Sequence, residues 1–234
     1  MHIRSSGGPD WLRICLIVLA LGYAFFAGLH TVSDLDLGWQ LATGRYLVVH
    51  HQIPRAELFS YTAQGKEWIY PPFSGAIFYL LYVVGGYSAL SWLSAFACAA
   101  TVAFLIAAGG RFVAGLAIVA VPAIAFRTVP RADLFTTVLF AAVLSIIWRN
   151  CRGKPARLWL LPILFLLWAN LHLGFISGLG LLGAAVFIGL CDMPFAERRA
   201  SALARLKQLV PWIAASFAAT LVNPWGWRLY EAIY

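Results

Sequence analysis

PFSGAIFYLLYVVG, residues 72–85, is the stretch that decides the fold. Its fourteen apolar or small residues begin at the second proline of Pro71-Pro72, a pair that suits the first turn of a helix. The run falls short of the ~20 residues a helix needs to cross a hydrocarbon core. If it crosses a membrane, every later segment changes side; if it lies along the surface, none does. Charge decides between the two. With 72–85 at the outer surface, Arg4, Arg13, Arg111, Arg149, Arg152, Lys154, Arg157, Arg198, Arg199, Arg205 and Lys207 share the inner side, eleven of the 17 Lys and Arg. With 72–85 across the membrane, only Arg4, Arg13, Arg127, Arg131 and Arg228 remain inside, five of the 17. Inner loops carry the excess of Lys and Arg, so the first arrangement is expected.

The membrane frame comes from composition. The chain has 234 residues, 62% of them hydrophobic and 11% charged. A soluble domain has about 25% charged residues. The apolar runs are too long and continuous for barrel strands, so the expected fold is all-α, a polytopic transmembrane helical bundle. Candidate spans are 14–29, 88–108, 112–126, 133–148, 158–172, 174–191 and 209–222, about seven in one transmembrane domain over 1–234. The N-terminus is inside and residues 223–234 form an outer tail. Met1–Arg13 with its following apolar run also resembles a signal peptide, but the run is long for one, and an uncleaved first span is the reading taken. Ten Trp and nine Tyr suit aromatic belts at the two interfaces. The net charge of +8 does not indicate nucleic acid, because no basic run has solvated flanks; the positive-inside bias accounts for it. Cys15, Cys98, Cys151 and Cys191 lack metal-ligand spacing and are expected to be unpaired.

This topology sorts the polar residues by kind. Asp34, Asp36, Glu57, Glu67, Asp133 and Glu231 all fall outside, with His30, His50, His51 and His172. The outer face is therefore near neutral and rich in titratable groups, as a reaction site is. Residues 30–86 form the long first outer loop with interfacial amphipathic helices, the first over Leu37–His50 with Leu37, Leu41 and Val48 on its apolar side. A turn at Ile53-Pro54-Arg55 follows it.

Within this outer set, Asp34-Leu-Asp36 has two readings. In one, Asp36 caps the helix and Asp34 is solvated; in the other, a carboxylate at the membrane surface serves as general base or metal ligand. Arg127 and Arg131 either snorkel to head groups, with Asp133 favoured at a helix start, or form a paired clamp for a phosphate. Trp168-Ala-Asn170-Leu-His172 ends the fifth span, with His172 a hydrogen-bonded structural residue or a functional one at membrane depth. Asn223-Pro-Trp-Gly-Trp reads as a helix stop with Asn223 as the cap.

Taken in order, these stretches resemble the GT-C superfamily of integral-membrane glycosyltransferases of bacterial type. The resemblance rests on the acidic Asp34–Asp36 after the first span and on GWQLATGRYLVVHHQIPRAELFSYT (38–62). KEWIYPPFSGAIFYLLYVVGG (66–86), RTVPRADLF (127–135), LWANLHLGF (167–175) and NPWGWRLY (223–230) complete it. It implies transfer of a sugar from a polyprenyl-phosphate carrier to an acceptor on the periplasmic or extracellular face of the cytoplasmic (inner) membrane. It puts the carboxylate that activates the acceptor, or sits beside a metal, on Asp34 or Asp36 and a further carboxylate on Asp133. It adds Lys66 and Glu67 ahead of the interfacial helix as substrate contacts, beside Arg127, Arg131 and His172 for the departing phosphate. Gln40 stands where many members carry His, and YPPFSG replaces an expected His-Glu-Trp. A divalent metal stays open as cofactor. Members continue through more spans, so the resemblance leaves three readings of this chain: a fragment, a truncated copy, or a minimal core without the elements that bind the lipid carrier. That makes a non-catalytic scaffold with a membrane-protein partner the first alternative. A transporter of a lipid-linked substrate is the second; it calls for charges at mid-membrane depth and an inverted repeat, neither of which stands out.

Overall fold

The computed structural model describes residues 11–32, 34–109 and 111–233; Arg4 of the inner basic set lies outside them. Among the described residues the chain is all-α. It runs α1 (Trp11–Ala27), α2 (Asp36–His50), α3 (Phe73–Gly109), α4 (Arg111–Arg127), α5 (Asp133–Cys151), α6 (Leu160–Leu171), α7 (Phe175–Cys191) and α8 (Ala196–Thr220), then a 3-10 segment, Gly226–Ile233. The only strand-like feature among them is an antiparallel bridge between Ala56 and Glu67.

Residues 72–85 do form their own helical arm. Within α3 the backbone leaves helical geometry at Gly85 (φ −145°, ψ 18°) and Gly86 (φ 60°, ψ −151°). Only glycine adopts the second conformation without strain. At 1.5 Å per residue the arm over 73–84 is about 18 Å long and that over 87–109 about 34 Å. Only the second matches a hydrocarbon core of about 30 Å.

Two expectations need correction. Asp36 does not cap α2 and Asp34 is not a solvated bystander. Asp34 Oδ1 accepts the Asp36 N–H at 2.9 Å, an Asx turn in which a carboxylate satisfies the amide two residues on. The seventh run is also not confined to 209–222, since α8 starts at Ala196 and takes in Arg198, Arg199, Arg205 and Lys207. Ala, Glu, Arg, Leu, Lys and Gln are all strong helix formers. Asp192 anchors that start through ion pairs to Arg198 (3.4 Å) and Arg205 (2.9 Å).

Three apolar clusters hold the helices together. Ala20, Ala24, Cys98, Val102, Val121 and Ala125 join α1, the long arm of α3 and α4. Val143, Leu161, Phe165, Trp168, Phe175, Leu182, Leu209 and Leu229 join α5, α6, α7, α8 and the 3-10 segment. Leu37, Phe78 and Leu90, with Leu41 and Phe135 against them, seat α2 on α3. That seat is tight: a Cβ on Gly44 of α2 would lie 2.0 Å from the carbonyl oxygen of Gly75 in α3. Small residues allow this close approach of two helix backbones.

Much of the exposed flank of the helices is apolar. Leu12, Val18 and Phe26 on α1, Leu116, Val119 and Phe126 on α4, and Phe187 and Ile188 on α7 all point outward. Among the described residues, Phe73–Gly109 and Asp133–Cys151 are long and apolar enough to cross a membrane, and Trp11–Ala27, Val113–Arg127, Leu160–Leu171 and Phe175–Cys191 are shorter apolar helices. Both features fit a chain that associates with a membrane. The four cysteines are free, as expected.

Candidate functional site

The polar residues of the outer set gather at one end of the helices. Asp36 opens α2, Arg127 ends α4, Asp133 opens α5 and His172 follows the last residue of α6. A cavity of about 250 Å³ is lined by Asp36, Trp39, Gln40, Tyr70, Arg127, Arg131, Ala132, Asp133 and His172. A second, of about 210 Å³, is lined by Thr31, Asp34, Phe126, Val129, Pro130 and Arg131. Arg131 is common to both.

The two arginines already have carboxylate partners. Arg127 pairs with Asp133; Arg131 lies 3.5 Å from Asp133 and 3.7 Å from Asp34. Counting Asp36, three carboxylates face two guanidiniums, so the site carries an excess negative charge rather than an open pair of cations. Asp133 gains further from its position at the start of α5, where the helix dipole favours a carboxylate. Arg131 Nε–H is buried without an acceptor among the described residues, and Asp133 Oδ2 sits within ion-pair distance of both arginines without a well-aligned hydrogen bond.

Gln40 is buried, and its Oε1 accepts the Ala132 N–H at 3.1 Å. Its carbonyl end therefore ties α2 to the turn that presents Arg131 and Asp133. Trp39 covers the same region: its ring meets Tyr70 at 5.1 Å and Trp68 at 5.7 Å, both edge to face, an arrangement aromatic quadrupoles favour. Burial, with Asp36 and Asp133 adding their charge, pushes the Tyr70 hydroxyl well above its ordinary range, so it remains a protonated donor.

His172 is the most constrained member of the site. The Trp168 Nε1–H donates to Thr136 Oγ1 at 2.9 Å, and Thr136 Oγ1 lies 2.7 Å from His172 Nδ1. The Gly174 N–H also donates to Nδ1, at 3.2 Å. A backbone amide can only donate, so Nδ1 is an acceptor, the Thr136 hydroxyl gives its proton to it, and the neutral ring carries its own proton on Nε2. Burial lowers the His172 pKa below its ordinary value; Asp133 opposes this, and Arg131 and Arg127 reinforce it. At neutral pH the ring is an uncharged Nε2–H donor. Gly174 is needed at this turn, since a Cβ there would sit 2.2 Å from Thr136 Oγ1.

Of the residues expected from sequence, Asp36, Gln40, Arg127, Arg131, Asp133 and His172 line one cavity, and Asp34 joins them through Arg131. Lys66 and Glu67 do not line it. They belong to a hairpin in which the Glu57 N–H donates to the Lys66 carbonyl at 2.8 Å, and Glu67 pairs with Arg228 at 2.6 Å. That hydrogen bond holds the exposed Glu67 carboxyl below its ordinary value. Asn170 bonds the Leu166 and Val222 carbonyls at 2.8 Å each, a structural role. Asn223 bonds the carbonyls of Thr220 and Gly226, pinning the turn after α8, where Leu221 holds the cap position. Sequence reasoning missed Trp39, Tyr70 and Thr136. The first two lay inside stretches already singled out; for Thr136 the signal was its place three residues after Asp133, one helical turn along the same face.

Among the described residues no three His, Cys, Asp or Glu side chains are grouped to hold a metal ion. Asp34 and Asp133 both face the Arg131 guanidinium, so the donor set does not fit a divalent cation. Comparison with family models, curated proteins and solved structures gave no match.

Proposed function

We propose that the chain is a membrane-embedded glycosyltransferase of the GT-C kind, moving a sugar from a polyprenyl-phosphate-linked donor to an acceptor at the outer face of the cytoplasmic membrane. In this reading α1, the long arm of α3, and α4 to α8 are the seven spans, with the N-terminus inside. The short arm of α3 and α2 lie in the outer interface. The apolar outward surface and the sorting of basic from mixed polar ends support it.

The observation that carries the reading is the convergence of Asp36, Arg127, Arg131, Asp133 and His172, from separate helix ends, on one cavity. Asp36 is the general base, because Asp34 is engaged by the Asp36 amide and Arg131. Asp36 takes the proton of an acceptor hydroxyl as that oxygen attacks the anomeric carbon. The bond from this carbon to the phosphate oxygen breaks, and the phosphate leaves with the electron pair. Arg127 and Arg131 turn from Asp133 to the departing anion, and the His172 Nε2–H adds a neutral donor. A single displacement inverts the anomeric centre.

The test is transfer of labelled sugar from a panel of polyprenyl-phosphate donors by purified protein. Asp36→Asn should lower turnover by about 10²–10⁴-fold, whereas Asp34→Asn should act chiefly on stability. Unchanged transfer in Asp36→Asn would falsify the base assignment. Absence of transfer by folded wild type favours the second reading, a non-catalytic membrane subunit; the ion pairs that occupy both arginines speak for it.

A further inference from the structure

A cavity of about 400 Å³ lies at the other end of α5 from the candidate site. Asp133 and Arg149 are separated by about 24 Å along that helix at 1.5 Å per residue. The walls are apolar, from Phe104 of α3, Ala142 and Ile146 of α5, and Leu160 and Leu164 of α6. Arg149 and Arg157 stand at its polar margin. Arg149 is held there by two backbone carbonyls, Nε donating to Pro155 at 3.1 Å and Nη1 to Ala107 at 3.5 Å. This fixes the guanidinium at the mouth and leaves its remaining N–H groups for another acceptor. Arg152 and Lys154 follow in the same connection, and among the described residues no carboxylate pairs with any of the four cations. Asp192, which lines a neighbouring cavity with Asn150 and Cys151, is occupied by Arg198 and Arg205. Trp148 and Trp159 flank the connection, each about half exposed (46% and 52%), as aromatic side chains at a membrane interface are.

We infer that this groove binds an anionic phospholipid, its phosphate on Arg149 and Arg157 and part of one acyl chain between α3, α5 and α6. The inference rests on the membrane reading above but not on the glycosyltransferase one. Four uncompensated cations beside an apolar slot open to the lipid-facing surface match the two halves of such a molecule, charge to head group and wall to chain. A free inorganic phosphate would use only the first half. The site has no part in the chemistry at the opposite end.

The experiment reconstitutes the full chain into phosphatidylcholine vesicles and follows spin-labelled phosphatidylglycerol and spin-labelled phosphatidylcholine by electron paramagnetic resonance. Phosphatidylglycerol should show the larger motionally restricted fraction. Arg149→Gln with Arg157→Gln should weaken that preference by roughly 25-fold, two cations at about fivefold each. Since Arg149 also holds the connection, Arg157→Gln alone, at an exposed position without a structural bond, gives the smaller fivefold loss on an undisturbed fold. Ala107→Phe, also exposed and on the groove wall, should reduce chain restriction for both lipids while leaving every charge in place. Equal restriction of the two lipids by wild type, or wild-type behaviour in Arg157→Gln and Ala107→Phe, overturns the site. Failure of the protein to float with the vesicles overturns the site and the membrane reading together.

Discussion

Adding one methyl group to Gly44 tests the crossing on which the candidate site is built. A Cβ at that position would lie 2.0 Å from the Gly75 carbonyl oxygen, 2.4 Å from its carbon and 2.9 Å from the Ala76 nitrogen. All three are backbone atoms, so no side chain can swing away. Reaching an ordinary contact of 3.4 Å requires α2 to lift from α3 by about 1.4 Å. Overpacking of this kind costs about 1–3 kcal/mol, and a rigid obstacle puts Gly44→Ala toward the upper end. Replacing glycine in a helix returns about 1 kcal/mol, for a net loss of roughly 1–2 kcal/mol, or about 2–8 °C in Tm for a chain of this size. Gly38 supplies the control on the same helix, since a Cβ there meets nothing within 4 Å. Gly38→Ala should hold or raise Tm. Thermal unfolding in detergent, followed by tryptophan fluorescence, reads both. The lift also carries Asp36, Trp39 and Gln40 away from the α5 start, and a 1 Å misplacement costs on the order of 10²-fold in rate, so transfer should fall more than stability suggests. Gly44→Ala unfolding at or above the temperature of Gly38→Ala would refute the close crossing and the seating of the site on it.

Other outcomes follow from the site itself. Thr136→Val leaves the Trp168 indole N–H and His172 Nδ1 without their shared partner, and should cost about 1–3 kcal/mol in chemical unfolding; Thr136→Ser, which keeps the hydroxyl, should recover most of it. Asp133→Asn removes the charge both arginines face; with Arg127 half exposed the loss is roughly 1–3 kcal/mol, between surface and buried pairs, and Tm should become less sensitive to salt. Because burial depresses the His172 pKa, its neutral form is favoured by folding. That contribution is full above about pH 6.5 and is lost as pH falls from there through the folded-state value. His172→Gln should flatten the stability slope between about pH 7 and 5, and an unchanged slope would assign the acid sensitivity elsewhere.

Helix extents were legible wherever an apolar run met a charge or a glycine pair. Leu37–His50 differs from α2 by one residue, and 72–85 ends where the backbone breaks at Gly85-Gly86. The start of α8 was not legible, because a run rich in Arg and Lys reads equally as a solvated connection and as a charged helical turn. What separates them is the tether from Asp192 to Arg198 and Arg205, which depends on a folded turn. At the site, the residue types were readable but their partners were not. Gln40 meets Ala132 across 92 residues and His172 meets Thr136 across 36. Such pairs are set by how deeply α2 seats on α3 and by the rotation of α5 against α6, neither of which has a one-dimensional signature. The same holds for the arginines: their spacing suggests a phosphate clamp, while the fold brings Asp34 and Asp133 between them.

The glycine pair inside α3 has a meaning during synthesis as well as in the finished protein. A continuous apolar helix from Phe73 to Gly109 would present the insertion machinery with one segment of 37 residues, far longer than a bilayer needs. Broken at Gly85-Gly86, the nascent chain offers a short piece that can stay at the surface and then a long one that can be threaded. In the proposed topology, two residues without side chains thereby set the side on which every later loop emerges.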